Sequence, residues 1–288
     1  MDLIEPPNQE DCCNSGCNPC IFDVYEEKLR KIKLGQHNLK MLKNCISDTS
    51  YSTFRVITKL KHTENSFLII FEYSGQSQSD DLNLYFEPGQ HFLMKSSLKS
   101  TSESFTRAYT PLLSDNLGRL QFRILVKLYD GGMMSKIINK LNIGSETLWR
   151  GPYGDFKISY DFRDVLMIAQ GTGIAPIYSV IIKMVNDENF EGFIKLFYCC
   201  NEIFLHDEIY ELKKYWNFDY EVFLGGSKKG FCKYNEIVHE NRLGETQIGE
   251  FLKNKSENVQ VLICGGENFS GCIKNYLKSV QDKNIFVF

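Results

Sequence analysis

Along the chain the spacing of apolar positions changes character twice. The stretch "IFDVYEEKLRKIK" at 21–33 sets Ile21, Val24, Tyr25, Leu29 and Ile32 at near-helical intervals with charges between them, which predicts one amphipathic helix. From about residue 53 to 158 the pattern becomes strand-like. "FRVITKLKH", "SFLIIFEYS", "QHFLMKS", "TRAYTPLL" and "RLQFRILVKLY" are short runs rich in β-branched and aromatic residues. Turn signals such as "SGQSQSD", "EPG" and "SDNLG" separate them, and one helix, "GGMMSKIINKLNIG", interrupts them. Short strands at regular spacing predict a small antiparallel β-barrel.

From about residue 162 strands alternate with helices. "DVLMIA" precedes "APIYSVIIKMVND", "GFIKLFYCC" precedes "LHDEIYELKKYW", "YEVFLGG" follows, and "VQVLICGG" precedes "ENFSGCIKNYLKSV". Continuous apolar strands between amphipathic helices predict a doubly wound parallel sheet covered on both faces. The expected organisation is a preface at 1–50, a barrel domain at 51–160 and an α/β domain at 161–288, with no internal repeat.

Composition narrows the class. A length of 288 residues suits about two domains. Net charge is −3, so there is no basic footprint for nucleic acid. No apolar run approaches the ~20 residues of a membrane span. The start "MDLIEPPNQEDCC" has no cationic segment followed by an apolar one, is acidic without Arg, and begins Met1-Asp2. A secretory signal, a mitochondrial presequence and myristoylation are therefore not expected. The expectation is a soluble cytoplasmic protein.

Ten cysteines are many for that compartment, and without a secretory signal a disulfide framework is not expected. Cys12, Cys13, Cys17 and Cys20 crowd into nine residues. Cys12, Cys17 and Cys20 have the C-x4-C-x2-C spacing of plant-type iron–sulfur proteins. The preface is short for such a domain, the choice of fourth ligand between Cys13 and Cys45 is open, and adjacent Cys12 and Cys13 make an awkward zinc pair. The expected role is packing against the body or a partner, with no metal.

Chemistry concentrates at a few strand ends. In "RAYTPLLS" at 107–114, alternation puts Arg107 and Tyr109 on one face of a strand and Thr110 on the other. A guanidinium beside a phenol ring suits a ligand with both an anion and a flat ring, although a salt-bridged surface strand has the same composition. Gly171-Thr172-Gly173 follows a strand and opens a helix with Pro176 in its first turn. Glycines there allow close backbone approach, and a helix start offers free N–H groups to a phosphate. Gly131-Gly132-Met133-Met134-Ser135 opens another helix, where Ser135 serves either an anion or its own helix end. The five histidines form no metal or triad spacing.

The order of these pieces carries a resemblance. "PGQHF" at 88–92, "RAYTP" at 107–111, "VKLY" at 126–129, "GGMMS" at 131–135, "RGPYGDF" at 150–156, "QGTGIAP" at 170–176, "ICGG" at 263–266 and a terminal "FVF" follow one another. The series resembles the ferredoxin-reductase-like flavoproteins and, within them, the NADH-cytochrome b5 reductases. It implies that the barrel domain holds FAD. Arg107 would pair with the FAD pyrophosphate, Ala108 would share its strand, Tyr109 would lie against the isoalloxazine, and Thr110 would sit near the reactive nitrogen N5. Val126, Lys127 and Tyr129 would touch the flavin through main chain and ring, and Gly131, Gly132, Met133, Met134 and Ser135 would receive phosphate at the helix start. In the second domain Gly171, Thr172, Gly173 and Pro176 would form the turn between flavin and nicotinamide. Gly265 would admit the nucleotide and Cys264 would stand near the transferred hydride; otherwise it is the small apolar end of a buried strand. Glu202, after "LFYCC", would face the adenine ribose, favouring NAD as NADH over NADPH, and the only nearby basic candidates for a 2′-phosphate are Lys228 and Lys229. Phe288 would fold back toward the cofactor, or else be a sheet-edge aromatic.

The preface "DCCNSGCNPCIFDVYEEKL" resembles the oxidoreductase-like N-terminal motif of NADH-cytochrome b5 reductase-like proteins. The chain departs from the family at "CGGENF", which replaces the usual C-G-P-x-x-M, and at the single Asp130 joining "VKLY" to "GGMMS". The resemblance implies hydride transfer from NADH to FAD and then single electrons to an acceptor such as cytochrome b5. The competing reading is a flavoprotein that has lost turnover and acts as a binding or scaffold module through its Cys-rich preface.

Overall fold

A computed structural model of the chain describes residues 6–8, 11, 19–33, 43–75, 81–97, 104–225, 232–253, 255 and 258–288. Cys12, Cys13 and Cys17 lie outside the described residues, as do Lys228 and Lys229. The chain divides into two compact units, Met1–Asp155 and Phe156–Phe288.

In the first unit α1 (Ile21–Lys33) is followed by β1 (Lys43–Asn44), β2 (Ser52–Thr63), β3 (Ser66–Tyr73), β4 (Leu82–Asn83), β5 (His91–Ser97), β6 (Ser104–Tyr109), β7 (Pro111–Leu112), β8 (Gln121–Lys127), α2 (Met133–Lys140) and β9 (Glu146–Tyr153). Seven of the strands form one antiparallel sheet in the order β6-β5-β9-β2-β3-β8-β7. Its two edge strands, β6 and β7, are separated in sequence by Thr110 alone. A chain of three residues spans at most ~11 Å, so the sheet must curl until its edges meet, which makes it a barrel. Inside, Phe122 packs edge-on against Phe54, Phe92 and Trp149 at ring-centroid distances of 5.0, 5.1 and 5.0 Å. Such pairs contribute ~0.5–1.5 kcal/mol each beyond area burial.

The last residues of the expected preface belong to this barrel. β1 pairs with β4, and Cys45 and Ile46 are buried in the same core as Phe54 and Trp149. Their side chains are apolar and leave water with the rest of that core. Arg150 is fully buried; it donates to the Tyr153 hydroxyl at 2.9 Å and to the Pro19 carbonyl at 3.1 Å. Tyr153 in turn donates to the Asp48 carbonyl. One guanidinium thus ties the segment before α1 to β9.

In the second unit the elements are β10 (Asp164–Gln170), a 3-10 turn (Gly171–Gly173), α3 (Ile174–Val185), β11 (Phe193–Cys200), α4 (His206–Glu211), β12 (Phe218–Leu224), β13 (Ile237–His239), α5 (Glu245–Lys253), β14 (Val259–Cys264), α6 (Glu267–Tyr276) and β15 (Ile285–Val287). The sheet is parallel, in the order β13-β12-β11-β10-β14-β15. Strand alternation sends Leu166, Ile168, Phe197, Phe223, Val261 and Ile263 into one core with residues of α5 and α6. The chain winds outward from β10 to β13, then returns to the other side of β10 with β14. That reversal places a crevice beyond the carboxyl ends of β10 and β14, where ligands of such sheets bind.

Candidate functional site

The barrel unit gathers one cluster around the end of β6. Arg107 is exposed; its guanidinium donates to the Thr106 carbonyl at 2.7 Å and lies 5.9 Å from the Phe105 ring. It has no carboxylate partner among the described residues. Tyr109 is half-buried, with its ring 5.8 Å from that of Trp149. Burial raises its phenol above the ordinary value; Arg107 pulls it down and Tyr129 pushes it up, so all three lie within electrostatic reach of one another. Tyr129 is exposed, with the Lys127 ammonium 5.6 Å from its ring centre. Thr110 is half-buried at the crossing from β6 to β7.

Tyr129 connects this cluster to the start of α2. Its N–H donates to Ser135 Oγ at 2.9 Å, and its carbonyl accepts from Gly132 N–H at 3.0 Å. Ser135 therefore closes the turn onto its own helix start and keeps its O–H proton for another acceptor. Gly131 is left-handed at φ +74, which glycine adopts without strain. At Gly132 a Cβ would stand 2.8 Å from Ser135 Oγ, so the closed turn excludes a side chain. The Lys59 ammonium caps the far end of α2, donating to the carbonyls of Ile138, Asn139 and Leu141 at 2.9 to 3.0 Å. Together these groups offer a cation without an internal anion, two aromatic rings and uncapped amides at a helix start. That donor set fits a phosphate-bearing ligand with a flat ring.

Not every expected residue presents its side chain there. Val126 and Met134 are buried in the barrel core, so each can reach a ligand only through its main chain. Ala108 and Met133 are exposed.

The α/β unit brings its two expected turns together at the crevice. Gly171 is left-handed at φ +55 with open space where a side chain would stand. Gly173 has a different reason to be glycine: a Cβ there would lie 2.5 Å from the carbonyl oxygen of Cys264. Gly265 likewise has no room, since its Cβ would meet Phe269 at 2.5 Å and the Gln170 side chain at 2.9 Å. Gln170 Oε1 accepts from Gly266 N–H at 3.2 Å, linking the turn after β10 to that after β14. Pro176 is buried in the first turn of α3. Thr172 is half-buried beside it. Burial pushes the Cys264 thiol up to about 12, so at neutral pH it is an uncharged S–H.

Glu202 is half-buried just after β11 and makes no ion pair among the described residues. Phe288 donates its N–H to the Ile263 carbonyl at 3.0 Å, and its ring lies 5.0 Å from Phe156 and 4.9 Å from Phe286. It is an aromatic at the sheet edge next to β14. Two residues escaped the sequence reading, Gln170 and Tyr198. The only sequence signal for Gln170 is a polar residue ending an apolar strand. Tyr198 reads as one more aromatic in one. Among the described residues no group of three or more His, Cys, Asp or Glu side chains is arranged to hold a metal ion. No helix among them is long and apolar enough to cross a membrane.

Comparison with known proteins agrees with both units. Residues 54–158 match the oxidoreductase FAD-binding domain, residues 167–275 the oxidoreductase NAD-binding domain, and residues 4–40 the N-terminal oxidoreductase-like protein family. The chain is 28% identical to the human protein NADH-cytochrome b5 reductase-like, over 98% of this chain and 93% of the relative. It is 26% identical to NADH-cytochrome b5 reductase 1 of Cryptococcus neoformans, over 90% of this chain and 84% of the relative. The cytochrome b5 reductase domain of Ulva prolifera nitrate reductase superimposes with a TM-score of 0.71 at 20% identity, over 85% of this chain and 100% of that one.

Proposed function

We propose that this chain, which belongs to the ferredoxin-reductase-like flavoproteins of the cytochrome b5 reductase type, carries electrons from NADH to a heme-protein acceptor such as cytochrome b5. FAD, when bound, supplies hydride acceptance from NADH and release of electrons singly. The observation that carries the reading is the Arg107, Tyr109, Tyr129 and Ser135 cluster at the start of α2.

The protein's share of the work is binding and orientation. Arg107 would neutralise the FAD pyrophosphate, a role supported by the lack of an internal carboxylate for its guanidinium. The amides of Met133 and Met134 and the Ser135 hydroxyl would complete that anion site. Tyr109 and Tyr129 would bracket the ring system, Lys127 would hold the Tyr129 ring, and Thr110 would present its hydroxyl near the flavin. In the α/β unit the Gly171–Gly173 turn and Gly265 would admit the nicotinamide nucleotide. Cys264 would act as an uncharged wall and not as an acid or base, consistent with its raised thiol. Hydride transfer needs no general base. Glu202 would accept from the adenine-ribose hydroxyls and repel a 2′-phosphate.

One preparation tests this against the scaffold reading. A yellow protein that NADH bleaches under nitrogen, and that then reduces cytochrome b5, supports the proposal. A colourless protein, or a yellow one indifferent to NADH, supports a binding module instead.

A further inference from the structure

We propose that Tyr198 is the positioning residue that sets the two halves of the dinucleotide site relative to each other; this rests on reading the α/β unit as an NAD site. Tyr198 is fully buried in β11. Its hydroxyl donates to the Gly171 carbonyl at 3.1 Å and accepts from Phe204 N–H at 3.1 Å. The first partner belongs to the glycine turn after β10. The second belongs to the loop after β11, two residues beyond Glu202.

Both partners sit at turns with left-handed backbone, and one of the two turns is strained. Gly171 has φ +55, and Leu205, directly after Phe204, has φ +55 without being glycine. A left-handed non-glycine residue is sterically disfavoured and persists where its surroundings fix it. A single buried hydroxyl therefore bridges the two loops at one spacing. A dinucleotide would reach both, with its nicotinamide nucleotide at the turn and its adenine ribose at the loop. A mononucleotide would reach one of them. β10 and β11 are paired through Gln170 and Cys199, so the sheet supplies the coarse distance and Tyr198 the fine one.

The test is Tyr198→Phe, which keeps the ring and removes the bridge. Binding of NADH and of AMP is measured by anaerobic calorimetry on protein whose flavin is already reduced, so that no hydride passes, beside steady-state kinetics and the flavin-to-protein ratio. The expected result is that Kd and KM for NADH rise about tenfold, the effect of one lost buried hydrogen bond. AMP affinity and kcat at saturating NADH stay within about twofold, and flavin content is unchanged. Unchanged NADH affinity overturns the inference. So does a parallel loss of AMP affinity, kcat and flavin, which marks a merely structural residue. A wild type that binds no NADH overturns the NAD reading of the unit and this inference with it. Should the variant fail to fold, amide exchange of the wild type decides: NADH is expected to slow Phe204 and Gly173 together, and protection of Gly173 alone overturns the coupling.

Discussion

Gly173 rests directly on the main chain of Cys264: a Cβ added to the glycine would stand 2.5 Å from the cysteine carbonyl oxygen and 3.1 Å from its sulfur. The contact is with backbone, which cannot swing aside. Gly173→Ala is therefore expected to push apart the ends of β10 and β14 and to destabilise the protein by ~1–3 kcal/mol, as overpacking does. Flavin content should hold while kcat/KM for NADH falls at least about tenfold, because the crevice itself is displaced. Thermal denaturation and NADH-dependent ferricyanide reduction check the two parts. Wild-type kcat/KM in the variant would contradict the assignment of the crevice.

Arg107→Ala is expected to weaken FAD retention with the barrel intact. The guanidinium is exposed and takes no part in the core. A hydrogen bond to a charged group contributes ~1.5–3 kcal/mol, about ten- to a hundredfold in affinity. The flavin-to-protein ratio after gel filtration is the measurement, and equal ratios would remove Arg107 from the site.

The preface is expected to divide into a part that electron flow does not need and a part the barrel needs. Deleting residues 1–18 keeps Pro19, the carbonyl that Arg150 holds, and the buried Ile21. NADH-dependent ferricyanide reduction should stay within about twofold of the full chain. Deleting residues 1–47 also removes Cys45 and Ile46 from the barrel core. An apolar side chain of Ile46's size contributes ~1.5–3 kcal/mol on burial, so this variant should lose several degrees of Tm or aggregate. A sharp loss of rate in the shorter deletion, with flavin bound, would implicate Cys12, Cys13 and Cys17 in electron transfer.

Nucleotide preference is expected to follow from Glu202. NADH is expected to exceed NADPH in kcat/KM, and Glu202→Gln to narrow the ratio by about tenfold as the charge facing a 2′-phosphate is removed. Equal use of the two nucleotides by the wild type would move the specificity site elsewhere.

Thiol reactivity should follow burial. Cys199 and Cys264 are both pushed up to about 12 from an ordinary 9.0, with burial the dominant cause. Cys232 and Cys272 are exposed. Iodoacetamide at pH 8, read by mass spectrometry, should label Cys232 and Cys272 well before Cys199 or Cys264. The sign for stability is also set. Above pH ~8.5 the unfolded thiols lose protons that the folded ones keep, so stability falls as pH rises from there toward 12. Early labelling of Cys264 would show a crevice more open than its burial implies.

By itself the sequence determined the strongly periodic elements and their order, the two sheet types and the placing of "GGMMS" and "QGTGIAP" at helix starts. These rest on local periodicity, on glycine conformation and on helix ends, all set within a few residues. Weak local patterns stayed illegible: β13 is a three-residue strand, and α5, "ETQIGEFLK", buries only Ile248 fully. So did everything that joins distant segments. Arg150 reaches Pro19 across 131 positions, Lys59 reaches Ile138 across 79, and Tyr198 reaches Gly171 across 27. Gly173 looked like a phosphate-facing glycine, and only the neighbouring end of β14 revealed the close contact it makes. Periodicity states which face of an element is apolar. Which polar atom meets which across a core depends on register and strand order, and those are fixed only when the whole sheet forms.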